Sequence, residues 1–381
     1  MKKRWFCLLV LLRALPLLAG GNWNYAALAG GEAWLHGQQG GHGVFLLRAD
    51  RTGGYRDGHL GAEFNTDTFR LTFDRLRFWH GRLELGLRTA GEAYYAGLLP
   101  DYYRAGTIDR GRGFWASYLL AEAGAKLKLP GQGSLELSTG ARRWRFGAGR
   151  DTSPALALPA DPWTWETRLR YTFWRLRDEV SLHQGQRLFP RVRGVALGLE
   201  LGLDLRSAAA PWGARQGTAF DPVDERNDPA QAILLVRQWL RAGRQLRPRL
   251  RVQLGEWASW GRGEDDLTRV RLGGLNPYVV PLAGAPWAAY LASHLAAVSL
   301  SGQARVWREV EAGMFFDGAV LEDAQRTGHS GQGTLAGAGL LADGRLGRAQ
   351  LDLRAGWSPG WHWRSGGGNF AFLLACGYTW Q

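Results

Sequence analysis

Eight histidines supply the candidate bases and metal ligands of the sequence, and they are scattered along the chain: His36, His42, His59, His80, His183, His294, His329 and His362. None of them stands at the spacing of a zinc site. A hydrolase would also need a nucleophile and an orienting group beside its base, and the nearest approach to that pattern is His294 followed by Ser299 and Ser301. An ordinary polar position on a strand, beside small residues, explains these three residues better than a catalytic group does. We therefore expect no enzymatic activity, no metal site and no cofactor.

The chain is strongly basic, with a formal net charge of +13 over 381 residues. Nearly all of the positive charge comes from arginine, since lysine occurs only at Lys2, Lys3, Lys126 and Lys128. Nucleic-acid-binding proteins gather such charges into patches or blocks, whereas these arginines recur every few residues. The pattern excludes nucleic acid as a partner and leaves an anionic partner or a phosphate-rich lipid surface open.

The first residues have the order of a secretory signal peptide. A basic start precedes an apolar stretch that ends near Leu18 and is too short to span a bilayer. Small residues up to Ala29 suit cleavage by a signal peptidase, and cleavage after Ala19 is the alternative. We predict a signal peptide over residues 1–29 and a single domain over residues 30–381.

Beyond that leader the dominant pattern is the alternation of apolar residues with polar or small ones. No later window approaches the run of about 18 apolar residues that a transmembrane helix needs, and the mean hydropathy is −0.25. Within residues 195–206, aliphatic residues at alternate positions face one way, while Gly198, Glu200, Gly202 and Asp204 face the other. Such a segment is a strand with one apolar face and one wet face.

The length of the alternating segments distinguishes between two all-β architectures. Strands of soluble sandwiches usually run to roughly five or six residues, but several of these segments are at least twice that length. An exported protein that crosses a bilayer with strands must close its sheet, because lipid offers no partner to an open edge. We therefore predict an all-β fold, a closed antiparallel transmembrane β-barrel in the outer membrane of a Gram-negative-type bacterium.

The alternation marks fifteen candidate strands, at 59–64, 69–79, 82–92, 113–128, 134–147, 163–176, 189–206, 232–241, 247–260, 268–273, 294–300, 307–317, 333–342, 347–357 and 369–380. Barrels of this type have an even number of strands, and about 22 residues per strand and connection predicts sixteen, with fourteen as the alternative. For the segment 232–241 both a strand and a short helix stay possible, because residues 227–229 are also compatible with the start of a helix.

Turn and loop lengths alternate between the predicted strands. The short turns lie at 130–133 and 342–345, and the long loops at 97–112, 149–162, 207–231 and 274–293. This asymmetry is typical of barrels with short turns on one side of the membrane and longer loops on the other.

Aromatic residues concentrate near the ends of the predicted strands. They include Phe78-Trp79, Tyr94-Tyr95, Tyr102-Tyr103, Phe114-Trp115, Trp163, Trp165, Trp257, Trp260, Trp361 and Trp363. Trp and Tyr favour the two interfaces between lipid and water. The distribution predicts two aromatic girdles.

The last predicted strand ends with aromatic residues on its apolar face. That face carries, at alternate positions, Phe370, Phe372, Leu374, Cys376, Tyr378 and Trp380. A soluble protein seldom exposes an edge of this kind. The strand resembles the signal that the barrel-insertion machinery reads in outer-membrane proteins, and the resemblance implies that Phe372, Leu374, Tyr378 and Trp380 carry it.

A further set of motifs lies between residues 269 and 323. It comprises Leu272-Gly273-Gly274-Leu275-Asn276-Pro277-Tyr278, Pro281-Leu282-Ala283-Gly284 and Gly313-Met314-Phe315-Phe316-Asp317-Gly318. These motifs resemble the barrel of the BamA/TamA-type bacterial surface antigen superfamily, in which a Gly-Gly turn leads into a long loop folded into the lumen, in front of a Phe-x-Asp strand. Two features depart from that family. Asn276-Pro277-Tyr278 stands in place of its Arg-Gly-aromatic loop tip, and the strands begin too early for its periplasmic repeats.

The resemblance predicts one long loop folded into the lumen and a wall behind it. The loop residues are Gly273, Gly274, Asn276, Pro277 and Tyr278, and the wall residues are Arg269, Arg271, Glu311 and Asp317. Glycine permits the turn, and proline stiffens the run after it. We expect Asn276 and Tyr278 to contact the wall near Glu311 and Asp317. Because buried carboxylates need partners, we expect Arg269 and Arg271 to pair with them.

The resemblance also implies a function in membrane-protein or lipid handling at the outer membrane. A passive or gated pore is the alternative, since arginine and glutamate are expected to line the lumen. The expected partners are outer-membrane lipid, the barrel-insertion machinery during biogenesis, and a periplasmic protein that would take the place of the missing repeats.

Overall fold

The computed structural model describes residues 23–380 except for 36–39, 53–57, 66–67, 93–102, 105–106, 109–110, 112, 161, 177–191, 214–229, 248, 276–278, 286–287, 289, 324–330 and 360–368. The strands are β1 (Trp23–Leu35), β2 (Gly40–Thr52), β3 (His59–Asn65), β4 (Thr68–Phe78), β5 (Leu83–Glu92), β6 (Tyr103–Arg104), β7 (Thr107–Ile108), β8 (Phe114–Lys128), β9 (Gly133–Ala148), β10 (Trp163–Leu176), β11 (Gly194–Arg206), β12 (Ala232–Arg247), β13 (Leu250–Arg262), β14 (Val270–Leu272), β15 (Tyr290–Trp307), β16 (Val310–Asp323), β17 (Gly331–Leu346), β18 (Ala349–Ser358) and β19 (Asn369–Trp380). Two single 3₁₀ turns, Trp79–Gly81 and Pro130–Gln132, occur among them.

Sixteen of these strands form one closed ring. Each pairs antiparallel with its neighbours, and β1 closes the ring on β19, from Tyr25 opposite Trp380 to Leu35 opposite Phe370. The three short strands lie outside the ring: β6 and β7 form a separate hairpin, and β14 pairs with β15 beyond the end of β13. The predicted closed antiparallel barrel of sixteen strands is therefore confirmed.

Helices do not contribute to a membrane crossing in the part of the chain that the structure describes. None there is both long enough and apolar enough to span a bilayer.

The two faces of the barrel wall differ as the alternation predicts. On β11, Leu199 and Leu201 project outward and are exposed, whereas Gly202 and Asp204 are buried on the inside. This distribution is the reverse of that in a soluble protein, whose apolar side chains face inward. The outside of such a barrel meets hydrocarbon, and the inside holds polar groups. The register of β10 and β11 keeps the two sets apart, since Leu201 lies opposite Leu169.

The connections divide the barrel into two ends, which we call the loop end and the turn end. At the turn end, residues 79–82, 129–132, 308–309 and 347–348 make tight reversals. The predicted turn at 342–345 is wrong, because β17 continues to Leu346 and the reversal falls at Gly347, whose φ of 60° favours glycine. The loop end carries the connections 149–162, 207–231 and 263–289.

Several strands differ from the predicted set. β1 begins at Trp23, before the predicted start of the barrel at residue 30, and neither β1 nor β2 was predicted. A boundary after Ala29 would divide β1, which closes the ring on β19. The signal peptide and its cleavage site stay predictions. The segment predicted at 232–241 belongs to a longer strand, β12, and the segment predicted at 268–273 is reduced to β14.

The aromatic girdles are visible at both ends. Trp163, Trp165 and Trp260 are exposed on the outside near the loop end, and Trp79 and Trp307 near the turn end. Trp257 was wrongly assigned to a girdle, because it faces inward and packs against the apolar cluster in the lumen. The side chains of Tyr94, Tyr95, Tyr102, Tyr103, Trp361 and Trp363 lie outside the described residues.

The C-terminal strand projects its aromatic face outward. Phe372, Leu374 and Tyr378 are exposed to the lipid side, and the backbone of Trp380 pairs with Tyr25 of β1. The strand thus completes the barrel, because its other edge pairs with β18. Its role as an insertion signal stays a prediction.

We expect the protein to fractionate with outer membranes and to migrate differently in gels before and after boiling. A closed sheet satisfies all of its backbone hydrogen bonds internally, so detergent alone does not open it. Cell fractionation followed by electrophoresis of boiled and unboiled samples tests this expectation. A folded, soluble periplasmic species would contradict the transmembrane assignment.

Candidate functional site

The segment between β13 and β15, the eleventh and twelfth strands of the ring, folds back into the barrel. We call residues 273–288 the lumen loop. Gly273 and Gly274 have φ values of 121° and 94°, in the region that favours glycine. The backbone N–H of Gly273 donates to Val280 (3.0 Å), and that of Leu282 donates to Gly274 (3.0 Å). These bonds hold the two limbs of the lumen loop together just after its glycine turn.

The lumen loop is apolar where it meets the wall. Its buried residues are Leu275, Leu282, Ala283, Ala285 and Ala288. They belong to one cluster with inward-facing residues of the wall, which include Leu28, Val44, Phe315, Leu335 and Leu373. Apolar burial of this kind stabilises the inward position of the loop, so one side of the lumen is filled by the loop.

Two glycines of the wall make room for the loop backbone. A Cβ atom at Gly337 would lie 2.3 Å from the carbonyl oxygen of Ala283, and one at Gly356 would lie 2.9 Å from the backbone nitrogen of Gly284. Both distances are shorter than any normal contact, so these positions require glycine while the loop is in place. Gly284 itself has a φ of 74°.

Two buried carboxylates of the wall hold the loop at separate points. Asp317 on β16 accepts a hydrogen bond from the backbone N–H of Ala283 (2.9 Å), and Glu32 on β1 accepts one from that of Leu275 (2.6 Å). The positive charge of Arg354 on β18 faces both of them. Bonds from backbone N–H groups to carboxylates are charge-assisted and stronger than neutral ones.

The Phe-x-Asp strand therefore stands behind the loop, but its aspartate has another partner than expected. In place of Arg269 or Arg271, Asp317 binds the backbone N–H group of a loop residue. The arginine beside Asp317 belongs to the wall, at Arg354. Asn276, Pro277 and Tyr278 lie outside the described residues, and with them the predicted wall contacts of Asn276 and Tyr278.

The predicted pairing of Arg269 and Arg271 with Glu311 and Asp317 is wrong. Arg271 lies on β14 opposite Leu291, whereas Glu311 lies near the turn end opposite Arg305. Fourteen residues of β15 separate those positions, which is about 46 Å at 3.3 Å per residue.

The two arginines contact groups near their own end of the barrel. Arg269 donates to Ser293 (3.0 Å) and pairs with Asp266, and Arg271 donates to the backbone carbonyl of Asp266 (2.9 Å).

Glu311 pairs at the turn end with Arg251 of β13, which also donates to Gln303 (2.7 Å). Glu311 and Asp317 do face the lumen and are buried, as predicted for a wall. The sequence could not reveal Arg251 as the partner, because β13 and β16 are brought together only through β15.

The part of the wall away from the loop carries ion pairs between neighbouring strands. Arg170 on β10 donates to Glu200 on β11 (2.6 Å), and Arg88 on β5 donates to Glu122 on β8 (2.7 Å). Beside them lies a cavity of about 330 Å³ lined on one side by Arg48, Asp50, His59, Glu63, Arg70 and Asp74. The lumen thus has an apolar side under the loop and a charged side opposite.

The residues singled out as a hydrolase-like group do not form one site. His294 projects outward, contacts Trp260 and pairs with Glu322. Ser299 and Ser301 lie an odd number of residues further along β15 and face the lumen. Within the described ranges, no group of three or more His, Cys, Asp or Glu residues is placed to hold a metal ion.

Solved structures share this architecture. BamA from Haemophilus ducreyi lacking POTRA domains 1–3 has a TM-score of 0.64 and 12% identity, over 94% of this chain and 70% of that chain. CdiB from Acinetobacter baumannii has a TM-score of 0.57 and 9% identity, over 94% of this chain and 60% of that chain. CdiB from Escherichia coli has a TM-score of 0.58 and 12% identity, over 95% and 63%.

The chain has the barrel fold of BamA and CdiB. At these identities the likeness concerns the fold alone, and the chain spans 60% of the length of the CdiB chain from Acinetobacter baumannii. No family model and no curated protein matches the sequence.

The root of the lumen loop in this BamA/CdiB-like barrel carries a group of acidic residues. Asp265 accepts hydrogen bonds from Arg206 (2.8 Å) and from the indole of Trp212 (3.0 Å), and these partners keep its pKa below the usual range despite burial. The neighbouring Glu264 is also buried, but neither of its carboxylate oxygens has a hydrogen-bond partner among the described residues. Burial raises the pKa of Glu264 to about 7.

We expect Glu264 to make the loop root less stable at alkaline pH. The nearby charges are Arg237 and Arg269, which favour the carboxylate, and Asp265 and Asp204, which oppose it. The pKa of Glu264 in the folded protein lies above its ordinary value of 4.5, so the folded state favours the protonated side chain. The stability that protonated Glu264 allows is therefore fully present below about pH 4.5, and it is lost as the pH rises through 7. The change is at most about 3 kcal/mol.

The temperature at which the heat-shifted gel band is lost, compared at pH 5 and pH 8, measures this effect. Glu264→Gln keeps the side chain neutral and should flatten the difference. An equal pH dependence in wild type and variant would show that Glu264 does not titrate in this range.

Proposed function

We propose that this chain is an outer-membrane barrel that handles membrane proteins or lipids, with a lumen that the inward loop keeps closed at rest. The observation that carries the proposal is the fixed position of the lumen loop, held at Leu275 by Glu32 and at Ala283 by Asp317. The loop fills one side of the lumen, so it leaves less room for diffusion than an unobstructed barrel of sixteen strands would. The architecture shared with BamA and CdiB supports the same proposal.

The proposed partners are outer-membrane lipid, the barrel-insertion machinery during biogenesis, and a periplasmic protein that presents the client. Lipid contact is supported by the many large apolar side chains exposed on the outside of the ring. The insertion machinery is supported by the aromatic outward face of β19. A periplasmic partner would bind at the turn end, where both ends of the described chain lie.

Reconstitution into liposomes tests the proposal. Two readouts are needed, the folding rate of a urea-unfolded outer-membrane barrel added from outside and the transfer of fluorescent phospholipid between leaflets. We expect the protein to accelerate one of them over empty liposomes, and the double variant Glu32→Gln, Asp317→Asn to alter that acceleration. If neither rate exceeds that of empty liposomes, with or without the periplasmic fraction, the proposal fails.

A passive or gated pore is the second candidate, and the charged side of the lumen favours it. The cavity beside Arg48 and Glu63 is polar and large enough for water and small ions. Steady conductance of the wild-type protein in a planar bilayer would place this candidate first. A wild-type protein that conducts only after the loop is removed would favour the handling role.

The proposed function involves no enzymatic step. His294 and the serines at 299 and 301 lie on opposite faces of β15. Hydrolytic turnover that His294→Ala abolishes would contradict this part of the proposal.

A further inference from the structure

A carboxylate and a carboxamide lie on the lipid-facing surface of β12 and β13. Glu256 stands opposite Leu240 on one side and Val298 on the other, and Val298 is exposed to the outside. Gln238 stands opposite Leu199, which is also exposed to the outside. Directly paired residues share a face of the sheet, so both polar side chains project toward lipid.

Glu256 lies close to the middle of the apolar band. Trp260, in the girdle near the loop end, is four residues away on the same strand, and Leu250 begins the strand six residues away at the turn end. A strand that rises about 3.4 Å per residue and tilts by about 40° changes depth by roughly 10 Å over four residues. The apolar band is about 25 Å tall, so neither interface is within easy reach of the carboxylate.

Neither polar side chain has a partner in the part of the chain that the structure describes. Among the described residues, Glu256 and Gln238 make no hydrogen bond or ion pair. Polar groups inside a membrane are costly to leave without a hydrogen bond, and they usually mark an interface or a functional site. The next outward residues on β13 and β15 are Ala258 and Ala296, whose small side chains permit close approach of another protein.

We propose that the outward face of β12 and β13 is the contact surface between two copies of this chain, with Glu256 of one copy hydrogen-bonded to Gln238 of the other. A two-fold contact uses the same patch on both partners and therefore requires self-complementary groups. A carboxyl group accepts hydrogen bonds and a carboxamide donates them, so the two side chains meet that requirement. Glu256 and Gln238 lie diagonally on neighbouring strands. A two-fold axis beside the patch makes the two Glu256–Gln238 pairs equivalent by symmetry.

Cross-linking in lipid vesicles tests the proposal. The experiment uses the full chain with Cys376→Ser, which removes the exposed cysteine at that position. Leu240→Cys places a thiol inside the contact. Leu137→Cys on β9 is the control, because Leu137 is 54% exposed and lies on the outside three strands away from β12. After oxidation we expect about tenfold more covalent dimer from Leu240→Cys than from the control.

Variants of the two polar groups separate the proposed hydrogen bonds from chance collision. The double variant Glu256→Leu, Gln238→Leu should lower dimer formation about tenfold, whereas Glu256→Gln should retain it. The heat-shifted gel band shows that each variant is folded. Equal cross-linking at 240 and 137, a dimer that survives the double variant, or cross-linking of 240 to another protein in native membranes would overturn the proposal. The experiment measures the oligomeric state and involves no assay of client folding or lipid transfer. Its outcome is therefore independent of the test of the proposed function.

Discussion

Replacement of Leu201 by arginine is expected to destabilise the folded barrel by about 2–4 kcal/mol. Leu201 lies in the middle of β11, is 46% exposed on the outside and stands opposite Leu169 and Val236. A guanidinium group there must enter hydrocarbon or draw water and headgroups toward the middle of the bilayer. Urea unfolding in lipid vesicles, followed by loss of the heat-shifted gel band, measures the change.

The matched control places the same side chain on the inner face. Gly124 on β8 faces the polar cavity, and a Cβ atom there would make an ordinary contact, 3.4 Å from Ser138. The carboxylates Glu122 and Glu136 line the same cavity, so Gly124→Arg should cost less than about 1 kcal/mol. Equal costs at the two positions would show that the inner and outer faces are assigned wrongly.

Gly202 is a less suitable control, although it also faces inward. A Cβ atom at Gly202 would lie 3.2 Å from Arg168, which pairs with Asp204. A side chain there would have to displace the guanidinium group, so a loss of stability at this position would not report on the lipid face.

Substitution of Gly337 by leucine is expected to displace the lumen loop and to raise the conductance of the barrel in a planar bilayer. The new Cβ atom would overlap the carbonyl oxygen of Ala283, from which it would lie 2.3 Å, and backbone atoms cannot rotate away as a side chain can. Barrels of sixteen strands enclose an aqueous channel when nothing fills them. Deletion of residues 275–285 should change the conductance in the same direction and by more.

Gly124→Leu is the matched control for this experiment, because it adds the same side chain to the inner wall away from the loop. The heat-shifted gel band should persist in all three variants, since the ring of strands does not depend on the loop for its hydrogen bonds. Unchanged conductance after both Gly337→Leu and the deletion would show that the loop does not close the barrel, and the pore would then be the better proposal.

Local alternation was enough to predict most of the wall. A strand has a period of two, so a residue such as Leu201 and its neighbour Gly202 must face opposite sides whatever the rest of the chain does. The length of these segments then predicted a barrel, because lipid excludes open edges. The even strand number and the mean length per strand gave sixteen without any knowledge of the pairing.

The strands β1 and β2 were not predicted from the sequence, and for β1 the reason is physical. The outward face of β1 carries Ala27, Ala29, Gly31 and Ala33, which are too small to produce an apolar alternation. The signal-like start of the chain also runs directly into β1, so the boundary between them is not marked by a change in composition. Only the pairing of β1 with both β2 and β19 identifies it as a strand.

The lumen loop was partly predictable. Gly273 and Gly274 are adjacent glycines before a proline-containing run, and such a pair indicates a turn that other residues cannot adopt. The Phe315 and Asp317 pattern on one strand indicated a wall behind the loop through its resemblance to known barrels. The partners of the wall carboxylates could not be predicted, because Arg269 and Arg271 are near in sequence but lie at the wrong end of β15.

The sequence by itself determined which face of most strands meets lipid and that the strands close into a barrel, because both follow from period-two alternation and from the cost of unpaired backbone in hydrocarbon. Only the tertiary structure decided what occupies one side of the lumen. Glu32 and Leu275 are 243 residues apart in the chain, and Gly337 and Ala283 meet only because β17 lies two strands away from β15 in the ring. Contacts of that kind depend on the register summed over many strand pairs, which no local pattern specifies.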